Sequence, residues 1–137
     1  MKRLIVVALL AVAAGSASDL LHSQDGAPTP AVRDYRGVPY VTGGIGETER
    51  AAMLATAADY NLKLLFAEKG GAYLADIGVI VRNAEGETAL ELKADGPLVL
   101  ARLPAGTYRV AATANGQEQV RNVRIPATGQ NSIVFYW

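Results

Sequence analysis

The sequence contains no cysteine and a single histidine, His22. The first absence excludes disulfides, thiol nucleophiles and lipidation at an N-terminal cysteine. The second leaves no partner for a zinc ligand and no histidine base for a serine hydrolase other than His22 itself. Long apolar runs are scarce as well. Only Leu4–Ala14 qualifies, and its 11 residues fall short of the about 20 needed to span a hydrocarbon core. No block of like charge occurs, with 13 basic residues against 13 acidic ones. A basic stripe suited to nucleic acid or an anionic membrane is therefore not expected.

What the N-terminus does contain is specific. Lys2 and Arg3 precede the apolar run, and Gly15 and Ala17 follow at −3 and −1 positions acceptable to a peptidase. This pattern predicts a secretory signal over residues 1–17, cleaved near Ala17. The mature protein is then periplasmic or secreted, without membrane insertion. Losing Lys2 and Arg3 tips the formal charge slightly negative. Residues 18–37, SDLLHSQDGAPTPAVRDYRG, lack periodicity and carry Gly26, Pro28 and Pro30, which predicts a flexible leader holding a solvated His22. Residues 38–137 remain as one domain, large enough to bury a core without disulfides.

Within that domain, Val38–Thr42 reads as a short strand confined to a sheet edge by Pro39. Glu47–Tyr60 reads as the single helix. Met53, Leu54, Ala57 and Tyr60 form its apolar stripe, Glu47 and Glu49 complement its dipole, and Asn61 closes it in a left-handed conformation. From Leu62 the apolar period becomes two. Seven further segments follow: Leu62–Ala67, Tyr73–Asn83, Thr88–Leu92, Leu98–Leu103, Thr107–Ala114, Val120–Ile125 and Ser132–Trp137. Short turns rich in glycine, asparagine and proline join them, which predicts an antiparallel sandwich. Asn115-Gly116 suits a type I′ hairpin. Val120 is out of phase with Val123 and Ile125, which predicts a bulge near Asn122.

The chemistry-bearing residues are few. Gly43, Gly44 and Gly46 precede the helix as in a phosphate-binding loop, and Glu68 lies where a ribose-binding acid would be. Glu49 occupies the third glycine position, however, and Glu47 and Glu49 would repel a pyrophosphate. No Lys-Ser or Lys-Thr follows, so the glycines are expected to be structural. The acids Asp76, Glu85, Glu87, Glu91 and Asp95 each suit a turn or a solvated face, which makes a paired-carboxylate hydrolase the least favoured reading. The segment NAEGE has too few oxygen ligands for calcium. No enzyme activity, cofactor or metal is expected. Phe135 and Trp137 should face the core. Tyr73, Tyr108 and Tyr136 are the candidate binding rings of a carbohydrate or peptidoglycan binder.

The segment Ala75–Ile125 contains LPAGTYRVAATANGQ, with Leu103, Pro104, Gly106 and Tyr108 in a Leu-Pro-x-Gly-x-Tyr arrangement. It resembles the carboxypeptidase regulatory-like, transthyretin-related domain, of the type carried by small exported proteobacterial proteins. That resemblance implies a non-catalytic, Ig-like or transthyretin-like β-sandwich of about seven strands with one N-terminal helix. It also implies a periplasmic binding or interaction role, the partner being another exported protein or a cell-envelope component. Leu103, Pro104, Gly106 and Tyr108 are then structural: proline fixes the turn, glycine permits the reversal, and the tyrosine hydroxyl finds a hydrogen bond.

Overall fold

In the computed structural model, which describes residues 30–137, alternating apolar residues build nine strands. They are β1 (Arg33–Tyr35), β2 (Val38–Gly43), β3 (Leu62–Ala67), β4 (Ile77–Arg82), β5 (Thr88–Ala94), β6 (Leu98–Ala101), β7 (Gly106–Ala114), β8 (Gln117–Ile125) and β9 (Asn131–Tyr136). One α-helix, α1 (Glu47–Ala55), and a 3₁₀ turn (Ala57–Asp59) separate β2 from β3. The expected signal sequence (residues 1–17), most of the expected leader and His22 lie outside the described residues.

The strands form a five-stranded sheet in the order β1-β2-β6-β3-β9 and a four-stranded sheet in the order β5-β4-β7-β8. The fold is thus mainly β, with two antiparallel-rich sheets and one helix. Leu62, Leu64, Phe66, Val99 and Phe135 of the first sheet share one core with Ile77, Val79, Val81, Val110 and Ile125 of the second. The helix covers the opposite face of the first sheet, where Met53 and Tyr60 pack on Val41, Leu98 and Leu100. This explains β6, whose four residues Leu98–Ala101 are all buried. Both of its faces are covered, so its sequence has no polar alternation. Burying Met53 completely contributes about 1.5–3 kcal/mol to holding α1 in place.

Several expectations are corrected. The pairing is not wholly antiparallel: β9 runs parallel to β3, with Leu62 opposite Asn131 and Ala67 opposite Tyr136. A parallel pair needs a long crossover, and the chain from residue 68 to 130 supplies it. The leader is not irregular up to Gly37, because Arg33–Tyr35 pairs with Val38–Tyr40 as β1. That addition makes β2 an interior strand. Pro39 is tolerated there because the β2–β6 ladder begins only at Tyr40 opposite Ala101. Its missing N–H falls where β6 has already ended.

The helix stops at Ala55 rather than Tyr60, with Thr56 Oγ1 donating to Met53 O at 2.9 Å. Leu54 is exposed, since the sheet beneath accepts only the ridge that carries Met53. Asn61 is not left-handed. Its side chain instead brackets the backbone of Leu103, Nδ2 donating to Leu103 O (2.7 Å) and Oδ1 accepting from Leu103 N (2.8 Å). No bulge occurs near Asn122, as the β7–β8 register runs unbroken from Gly106–Ile125 to Ala114–Gln117. Val120 is out of phase because it points to solvent, 42% exposed. The irregularity lies instead between Val81 and Arg82, in the β4–β5 pairing. The Asn115-Gly116 hairpin forms as expected, with φ of 49° and 79°.

Candidate functional site

The glycine loop sets the site's geometry. Gly43 (φ 158°) and Gly44 (φ 91°) turn the chain from β2 into α1. A side chain at Gly44 would sit 3.3 Å from Leu98 Cβ, as well as in a left-handed backbone. The helix N-cap is Gly46, which has no side chain to cap with. Glu49 serves instead: its Oε2 accepts from Gly44 N (2.8 Å) and Ile45 N (3.2 Å). These are amides that a phosphate would need, and a carboxylate of the chain already holds them. Arg50 Nη1 then donates to Gly44 O at 3.0 Å. The loop is fastened from both sides, and Ile45 is left 62% exposed.

Across from Ile45 stands the β3–β4 connection. Glu68 N donates to Ala72 O (2.7 Å) and Leu74 N to Phe66 O (3.1 Å), which holds Tyr73 in a bridge opposite Ala67. The Arg50 guanidinium carbon lies 4.3 Å from the Tyr73 ring centroid, a cation–π contact. Between these elements runs an apolar groove of about 260 Å³, lined by Ile45, Arg50, Tyr73, Leu74, Ala75 and Pro97.

The three candidate tyrosines have different fates. Tyr73 and Tyr136 are each 50% exposed. Both are partners of Ala67, Tyr73 by the isolated bridge and Tyr136 by the β3–β9 register. They therefore flank Ala67 on the outer face of the first sheet, about two strand spacings or roughly 10 Å apart. Tyr108 does not join them, being 6% exposed with its hydroxyl donating to Pro104 O at 2.7 Å. Burial pushes the Tyr108 hydroxyl above its ordinary pKa, and the Glu85 charge adds to the shift.

The Leu-Pro-x-Gly-x-Tyr residues all serve this corner. Leu103 is buried and bracketed by Asn61, and Pro104 supplies the acceptor for Tyr108. Gly106 turns the chain with φ 155°, a conformation that favours glycine, and lies beside the Tyr108 ring. Phe135 and Trp137 turn inward and lie within 5.8–6.2 Å of the Phe66 ring, centroid to centroid. The helix does not cover Tyr136 on the other face, since it packs over β2 and β6.

The acids are dispersed over exposed positions, and only Glu85 and Glu87 share an element. Asp95 pairs with Arg33 at 2.7 Å, and this charge raises the Arg33 pKa. Glu85 and Glu87 belong to a turn organised by Asn83, whose Oδ1 accepts from both of their amides. Among the described residues no group of three or more acids and histidines is placed to hold a metal ion, and no helix is long and apolar enough to cross a membrane. Sequence reasoning missed Ile45 and Arg50. Their signal was a lone β-branched residue between glycines, four and five residues from the acid and base that fasten it. Neither a protein-family model nor a curated protein matches the chain.

Proposed function

We propose that this protein is an exported, non-catalytic binding module built on a transthyretin-like sandwich. Its partner is another exported protein or a cell-envelope component. The observation that carries this reading is the surface around Ala67: two half-exposed tyrosines share one face, and Tyr73 continues into the apolar groove beside Ile45. Exposed aromatic and branched apolar side chains on a fastened scaffold are typical of recognition surfaces. Strand addition is a poorer route than this surface. The β8 and β9 edges are tied together, with Gln119 Nε2 donating to Tyr136 O, Asn131 Nδ2 to Arg124 O and Trp137 Nε1 to Gln117 O. Arg33–Asp95 ties β1 to the end of β5.

A second reading, a carbohydrate or peptidoglycan binder, is favoured by the spacing of Tyr73 and Tyr136. Two rings about 10 Å apart on one face match stacking on successive or alternate sugars. The test is a photo-crosslinking residue at position 73, followed by mass spectrometry of the adducts formed in cells. A dominant protein adduct supports the interaction module. Adducts to glycan fragments support the second reading. No adduct above that of a probe at exposed Glu91 overturns both.

A further inference from the structure

The outer face of the second sheet gathers cations that are far apart in sequence. Register places Arg82 of β4 directly opposite Arg109 of β7. Arg109 in turn stands opposite Asn122 of β8, and Thr107 opposite Arg124. Facing positions put Cβ atoms about 4.5–5.5 Å apart, and diagonal neighbours remain within reach of long side chains. Three guanidinium groups therefore share one corner of an exposed face. Like charges directly opposite one another destabilise a sheet, yet none of the three belongs to an ion pair among the described residues. A cleft of about 260 Å³ opens beside them, its lining including Arg82, Asn83, Thr107, Tyr108, Arg109 and Asn122. The nearby Glu85 and Glu87 do not line it. Gly86 (φ 84°) leaves its rim open, with nothing within 4 Å of where a Cβ would stand.

We propose that this cleft is an oxyanion site that takes a phosphate group. A carboxylate offers two oxygens, which one arginine fork can satisfy. A tetrahedral dianion offers enough oxygens for two forks and for the neutral donors of Thr107 and Asn122. The ligand supplies the negative charge that Arg82 and Arg109 lack. The phosphate can be free or the terminal monoester of a lipid headgroup, since both present a dianion with at least three unesterified oxygens. This site lies on the second sheet and stands independently of the groove on the first.

The test is a titration of the isotope-labelled protein with inorganic phosphate, followed by amide NMR against chloride at matched ionic strength. Saturable shifts are expected at Gly86, Thr107, Arg109 and Asn122. Arg82→Gln or Arg109→Gln should weaken binding about tenfold, as the loss of a charge-assisted hydrogen bond implies. Arg109→Lys should fall between, keeping the charge without the fork. Lys93→Gln, at the far end of the same face, should change nothing. The same spectra report whether each variant is folded. Co-sedimentation with vesicles of phosphatidylcholine and phosphatidic acid in equal parts separates the sources. Arginine-dependent vesicle binding assigns the site to a headgroup, and phosphate shifts without it assign the site to a free phosphate. Shifts no larger than those of chloride, or unchanged in both glutamine variants, overturn the proposal.

Discussion

Gly96→Ala should be among the most damaging single-methyl additions in this chain. Gly96 lies in the β5–β6 connection, where a Cβ would stand 2.4 Å from Gly43 O and 2.5 Å from Gly43 C. The obstacle is backbone, so no rotamer change relieves it. Nor can Gly43 retreat easily, since it pairs with Leu98 at the end of the β2–β6 ladder. Shifting the Gly96 loop instead strains the Asp95 N to Thr42 Oγ1 bond (3.0 Å) and the Phe66 N to Pro97 O bond (2.9 Å). Overpacking of this kind costs about 1–3 kcal/mol, and a weakened hydrogen bond about 0.5–1.5 kcal/mol more. The stiffer unfolded chain returns about 0.4–1 kcal/mol. The net loss is roughly 0.5–4 kcal/mol, a fall in Tm of roughly 2–20 °C for a domain of this size. Denaturant and thermal melts would measure it, with Gly70→Ala as control because nothing lies within 4 Å of its Cβ position. A Gly96→Ala protein within about 0.5 kcal/mol of the parent would refute the close approach.

Asn61→Ala removes both hydrogen bonds to Leu103 and should destabilise by about 1–3 kcal/mol, since it leaves a half-buried amide and carbonyl unpaired; equilibrium unfolding checks this. Glu49→Ala frees the Gly44 and Ile45 amides, and should cost about 0.5–2 kcal/mol, as a lost cap does. Hydrogen exchange at those two amides should accelerate, and unchanged rates would contradict the fastening described above. Stability should also fall at alkaline pH. Burial raises the Tyr60 and Tyr108 hydroxyls above the ordinary 10.0, with Asp59 and Glu85 adding to the respective shifts. For a raised folded pKa the contribution is complete below pH 10.0 and is lost as pH climbs through the folded value. Tyr108→Phe should flatten that decline while losing about 0.5–1.5 kcal/mol at neutral pH; an unfolding midpoint independent of pH above 10 would refute the assignment.

The strands of this fold were legible wherever one face is buried and the other wet. Segments such as Ile77–Arg82 and Gly106–Ala114 alternate visibly, and Asn115-Gly116 announces its own hairpin. Legibility failed where that contrast vanishes. Arg33–Tyr35 is a strand of three residues with little apolar content, made by pairing with β2 rather than by pattern. Val120 misled because an exposed valine carries the same letter as a buried one. The parallel placement of β9 was invisible for a different reason: strand direction depends on where the chain returns, and no local residue encodes it. The candidate surfaces share this limit. Tyr73 and Tyr136 were nameable from sequence, but their common neighbour Ala67 was not. Arg82, Arg109 and Arg124 looked like scattered charges until the register aligned them, so the absence of a linear basic run said nothing about a basic corner.

The glycine loop joins the first sheet, the helix and the groove. Its three glycines resemble a phosphate cradle because both problems demand a tight turn into a helix. Here Glu49 has taken the amides, and the Gly96 loop packs closely on the Gly43 carbonyl. The next residue, Pro97, lines the groove together with Ile45, and Arg50 stacks on Tyr73 there. The rigidity of the junction therefore shapes the groove as well as the core. If so, Gly96→Ala should disturb the groove even under conditions where the domain stays folded. Crosslinking through position 73 should then drop out of proportion to the loss of stability. A variant destabilised equally at a remote site, such as Asn61→Ala, should keep its crosslinks while folded. Equal losses in both would mean that the groove depends on global stability alone, and that the glycine junction has no separate part in recognition.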